Sequence, residues 1–154
     1  MMKTLILGYG NTLRKDDGLG VTAIEALSAT ALPADVEVLS RHQLSPELSA
    51  RLSQVKQAIF IDVTLIANGE LLGRIKTREL HPRTTQPSGI THHFDPETLL
   101  AMAETLYGHA PQATLFSVTA NDFGLGEGLS PEVTRALPVL IERIKEYLFA
   151  LPQN

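Results

Sequence analysis

The sequence predicts an α/β fold of three layers, αβα, around a mostly parallel twisted sheet of about five strands. Three observations predict it. Short apolar runs alternate with segments of helical periodicity along the whole chain, the order that builds a parallel sheet with helices on both faces. The apolar runs are nearly continuous rather than alternating, as in strands buried on both sides. A small hydroxyl or acidic residue followed by Pro and Glu recurs at Ser45-Pro46-Glu47, Asp95-Pro96-Glu97 and Ser130-Pro131-Glu132. This is the signature of an N-cap with proline in the first helical turn.

Taken in order, Thr4 to Leu7 is short, apolar and uncharged, and reads as the first strand. From Val21 to Leu32, Val21, Ile24, Leu27, Ala31 and Leu32 recur at helical spacing until Pro33 stops the helix. Val36 to Leu39 reads as a second strand. A helix capped by Ser45 follows, with Leu48, Leu52 and Val55 as its stripe. Ala58 to Val63 is the clearest strand, wholly apolar until Asp62. Beyond a turn at Gly69, Leu71 to Thr77 has the mixed polarity of a more exposed strand. Arg78 to Thr91 lacks apolar periodicity and reads as a long functional connection. Asp95 caps a helix with Leu99, Leu100, Ala103, Leu106 and Tyr107 on one face, and Ala113 to Val118 is another buried strand. Thr119 to Leu129, holding Gly124, Gly126 and Gly128, reads as a loop. The last helix starts at Ser130 and turns Val133, Leu137, Leu140, Ile141, Ile144 and Leu148 toward the core, with a kink expected at Pro138.

Residues 1–154 form a single expected domain, since no linker, repeat or low-complexity run divides them. With 44% hydrophobic and 19% charged residues the chain is an ordinary globular one. A net charge of −4 offers no electrostatic case for nucleic acid or an anionic membrane as partner. The absence of cysteine excludes disulfides, thiolate metal sites and a cysteine nucleophile. The apolar run after Met1 is too short for a signal-peptide core, and no window reaches the roughly 20 apolar residues of a membrane span. A cytoplasmic protein is expected.

The stretch Gly8-Tyr9-Gly10-Asn11-Thr12-Leu13-Arg14-Lys15-Asp16-Asp17-Gly18-Leu19-Gly20 joins the first strand to the first helix. Its glycines permit a tight turn and close approach. Its paired carboxylates would repel a phosphate and favour a cation. Leu13 stands where the dinucleotide fingerprint needs its third glycine, and the chain holds neither a P-loop nor a GxSxG elbow. In an open α/β sheet, ligands gather beyond the carboxyl ends of the strands. Asp16-Asp17, Asp62 and His92-His93 are all expected there. His42, His81 and His109 are read as structural or surface residues. Two carboxylates with one imidazole form an oxygen–oxygen–nitrogen set suited to a borderline divalent metal, with positions left open for water or substrate.

These segments together resemble the opening, the third-strand acid and the pre-helix histidine of the NiFe-hydrogenase maturation endopeptidases. The resemblance rests on Gly8-Tyr9-Gly10-Asn11-Thr12-Leu13 with Asp16-Asp17-Gly18-Leu19-Gly20, on Asp62 within Ile59 to Thr64, on Thr91-His92 before Pro96 and Leu99-Leu100, and on Leu129-Ser130-Pro131 with Val133. It implies a peptidase that removes a C-terminal extension from the hydrogenase large-subunit precursor after nickel insertion. It implies Asp17, Asp62 and His92 as the metal-contacting and catalytic residues, with Asp16 structural. His92 is chosen because Thr91 precedes it, and His93 stays the alternative. The nickel would be supplied by the substrate precursor, although a surrogate divalent metal can occupy such a set. The rival readings are a non-catalytic nickel-binding carrier and a nucleotide- or phosphate-binding enzyme using the glycine loop.

Overall fold

The buried strands send apolar side chains into two core clusters, one on each face of the sheet, which decides the layer arrangement. The computed structural model describes residues 3–83 and 94–152. It contains β1 (Thr4–Tyr9), α1 (Leu19–Ser28), β2 (Val36–Arg41), α2 (Leu48–Leu52), β3 (Gln57–Leu65), β4 (Ile75–Leu80), α3 (Pro96–Tyr107), β5 (Gln112–Ala120) and α4 (Pro131–Ala150). A 3-10 turn, Lys15–Gly18, leads into α1. The sheet order is β2-β1-β3-β5-β4; β4 runs antiparallel to β5 and all other pairs are parallel. Side chains alternate across a strand, so Ile6, Ile59 and Ile61 pack under α1 and α4. Leu5, Leu7, Ala58 and Phe60 pack under α2 and α3 on the opposite face. Both faces are covered, as the unbroken apolar runs require.

The expected αβα layering and five-stranded sheet are present, and the differences lie in element limits. β3 continues past Asp62 to Leu65 because β5 runs alongside it, Asp62 pairing with Ser117 and Leu65 with Ala120. Asp62 therefore lies within a strand; it is β1 that stops pairing, at Gly8 opposite Ile61. The exposed strand is shifted from Leu71–Thr77 to Ile75–Leu80, since Leu71 to Arg74 are taken up by bonds to Thr119. Arg78 thus belongs to β4 rather than to a long loop.

Helix α1 begins at Leu19 and buries Leu19, Ala23, Ile24 and Leu27, whereas Ala31 is exposed beyond its end. Helix α2 is a short piece starting at Leu48, because Ser45 to Glu47 form a turn and not a capped first turn. Asp95 caps α3 as expected, accepting the Thr98 N–H at 2.8 Å, and Gly108 closes the helix in the left-handed region. Leu106 and Tyr107, expected on the core face, are 62% and 54% exposed in the last turn of α3, before the Gly108 cap. Helix α4 runs through Pro138 without ending.

Candidate functional site

The first wall of the site is the β1–α1 connection. Gly10, at φ +144°, passes so close to the 3-10 turn that a Cβ there would run into the Asp17 carbonyl oxygen. Its N–H donates to the Arg41 carbonyl at 3.1 Å, tying the loop to the end of β2. The Asn11 N–H donates to Asp17 Oδ2 at 2.8 Å, and Asn11 Oδ1 accepts the Leu13 N–H, so the carboxylate is oriented by its own loop. At Gly20 a Cβ would lie 2.5 Å from the Tyr9 backbone and 2.6 Å from the Ile61 carbonyl oxygen. Only glycine lets α1 start this near the sheet.

Asp16 and Asp17 are neighbours with opposite surroundings. Asp16 is completely buried, and its Oδ1 accepts the Ser130 N–H at 2.7 Å at the start of α4. Its N–H donates to the Asp122 carbonyl, Lys15 pairs with Asp122 at 3.3 Å, and Arg14 bridges to Gly126. The glycine-bearing loop after β5 is thus a brace for the first loop. Asp17 instead lines an open cleft of about 820 Å³ at the carboxyl edge of the sheet.

Asp62 lines the same cleft. Its Oδ1 accepts the Val63 N–H at 2.7 Å. Burial pushes its carboxyl up to about 7, and the nearby Asp17 charge adds to the rise; the Val63 N–H and the Tyr9 phenol oppose it. Tyr9, at the end of β1, is in turn driven well above its ordinary value by burial and by the Asp62 charge. A buried carboxyl raised in part by a neighbouring carboxylate in the same cleft suits a divalent cation, which would relieve both the burial and the repulsion.

The opposite wall is the start of α3. Glu97 is buried and pairs with Arg78 at 3.3 Å and Arg83 at 3.6 Å, while Arg83 also reaches Asp95 at 2.5 Å. Burial acts on Asp95 against its ionised form, but the Thr98 bonds and Arg83 outweigh it and hold the carboxyl below its usual value. Phe94 and Leu115 give this wall its apolar part.

Of the residues singled out in the sequence, Asp17 and Asp62 are brought to one cleft. His92, with Thr91 and His93, lies outside the described residues. Among the described residues, no group of three His, Cys, Asp or Glu side chains is placed to hold a metal ion. His109 bonds the Val55 carbonyl at 2.8 Å, and His81 is an exposed side chain near Glu79. His42, read from the sequence as structural or surface, is a surface residue, and it lies in the cleft wall. The rule that drew attention to Asp62 would have found it, since it directly follows a parallel strand. Tyr9 and the Arg78–Glu97–Arg83–Asp95 group were missed. The partners in that group come from β4, the segment after it and α3, and nothing in their sequence spacing pairs them.

No protein-family model matches the chain, and no curated protein does. Solved structures do match. The hydrogenase maturating endopeptidase HybD from E. coli is 24% identical with a TM-score of 0.77, the match covering 96% of this chain and 93% of that one. The NiFe hydrogenase maturation protease HycI from Thermococcus kodakarensis is 23% identical with a TM-score of 0.73, over 96% and 93%. The hydrogenase 2 maturation peptidase of a Thaumarchaeota archaeon is 24% identical with a TM-score of 0.72, over 97% and 99%. The chain has the fold of these peptidases over nearly its whole length.

Proposed function

We propose that the chain is a hydrogenase maturation endopeptidase, removing the C-terminal extension of a NiFe-hydrogenase large-subunit precursor once nickel has been inserted. The observation that carries this reading is the pair Asp17 and Asp62 in one open cleft, on the fold of proteins named as hydrogenase maturation peptidases. Asp17, Asp62 and His92 contact the nickel that the precursor brings, so the metal is part of the substrate and aligns the peptide bond to be cut. Water is the nucleophile, because the chain has no cysteine. A carboxylate of the pair, Asp17 or Asp62, takes the proton from that water and returns it to the leaving amine. The proposed location is the cytoplasm; no helix among the described residues is long and apolar enough to cross a membrane.

The test is incubation of purified protein with the large-subunit precursor, with and without prior nickel loading, followed by mass spectrometry. Loss of the tail mass from the loaded precursor alone is the expected result. An intact loaded precursor would overturn the peptidase reading and leave the carrier alternative. In the same assay His92→Ala abolishes cleavage and His93→Ala does not. The reverse pattern would assign the metal contact to His93.

A further inference from the structure

We propose that His42 and Gln43 form a peptide-gripping wall of the cleft, hydrogen-bonding the main chain of the substrate segment lying across it. This rests on the peptidase reading above and adds to it a specificity determinant. Three observations carry it, the first being position. The ladder between β1 and β2 closes with Tyr9 opposite Arg41 and with the Gly10 N–H on the Arg41 carbonyl. His42 is the next residue, beside the loop that carries Asp17, and both His42 and Gln43 line the cleft.

The second observation is rigidity. Leu44, immediately beyond, is buried against the cluster of Leu48, Leu52 and Leu99. The pair is therefore displayed on a connection fixed at both ends, by backbone bonding before it and by apolar packing after it. The backbone that carries them is already ordered, so binding has only the two side chains to fix.

The third observation is unspent bonding capacity. Asp17, Asp62, Arg78, Arg83, Asp95 and Glu97 all have hydrogen-bond or ion-pair partners within the protein. Among the described residues, no hydrogen bond or ion pair engages the side chain of His42 or Gln43, and both are exposed. An imidazole and a carboxamide each present a donor and an acceptor, the complement of a peptide N–H and C=O. His42 does not complete a metal set with Asp17 and Asp62 as they are placed. A peptide main chain satisfies both side chains at once.

The experiment compares wild type with the His42→Ala/Gln43→Ala double variant on nickel-loaded precursor. Two lost hydrogen bonds at about 0.7 kcal/mol each predict a KM raised about tenfold, with kcat within about twofold. His42→Gln/Gln43→Asn, which keeps a donor and an acceptor at both positions, restores most of the KM. Exposed substitutions of this kind shift stability by about 0.5 kcal/mol or less, and thermal melting checks that each variant is folded. An unchanged KM, or a fall in kcat at constant KM, would overturn the proposal. If the wild type cleaves nothing, the peptidase reading fails by itself. Titration of a labelled peptide spanning the precursor's cleavage region then decides the wall, and equal affinity for wild type and double variant overturns it.

Discussion

Asp62→Asn should make the protein more stable at pH 8 while abolishing processing. In the fold the Asp62 carboxyl moves from its ordinary 3.8 up to about 7, burial being the main cause. Between those two values the folded chain binds a proton that the unfolded chain has released. Stability from this group is therefore full below about pH 4, declines as pH rises toward 7, and is flat above it. At about 1.4 kcal/mol per pH unit the whole decline is about 4 kcal/mol. Water in the open cleft screens part of it, so about 2–4 kcal/mol is expected. Asn is neutral at every pH and can still accept the Val63 N–H through its Oδ1. Urea unfolding of both proteins at pH 4 and pH 8 measures the difference. The variant should gain about 2–4 kcal/mol at pH 8 and about 0.5 kcal/mol or less at pH 4. A variant no more stable than wild type at pH 8, or one destabilised equally at both pH values, refutes the strain assigned to this carboxylate.

Tyr9→Phe removes a phenol that favours ionised Asp62, so the acidic limb of the processing pH profile should move to higher pH; an unmoved limb counts against that contact. Asp16→Ala leaves the Ser130 N–H without its buried acceptor and should cost about 2–3 kcal/mol in urea unfolding, whereas a change under about 0.5 kcal/mol would show that this bond does not brace the loop. Gly10→Ala forces a Cβ onto the Asp17 carbonyl in a backbone region that suits glycine. It should lower the melting temperature and reduce processing at least tenfold, and wild-type behaviour in both assays would show that the turn is not needed to present Asp17.

Periodicity and turn chemistry made the fold legible. Apolar runs such as Ile59 to Ile61 could only be strands covered on both faces, and Asp95-Pro96 marked a helix start to the residue. What the sequence did not reveal depends on partners far along the chain. β3 outruns its own apolar run because β5 lies beside it, and Leu71 to Arg74 leave the exposed strand because Thr119 engages them. The two acids of the opening loop were legible as a cation-favouring pair. Their separate surroundings depend on Ser130 for Asp16 and on the Asn11 N–H for Asp17. The arginine-bound wall at Glu97 escaped detection for the same reason, since Arg78 and Glu97 meet only when β4 and α3 are both in place.

The bond between Asp16 and Ser130 joins residues 114 positions apart. Asp16 sits in the β1–α1 connection, while the N–H that holds it stands at the start of α4. Closing a loop of that length carries an entropy cost that packing of the intervening elements must offset. The first wall of the cleft is therefore secured only when α4 has packed against the rest of the fold. Until then the Asn11 N–H can orient Asp17 locally, but the Asp16 side chain has no anchor, and neither a metal nor a peptide finds a finished seat.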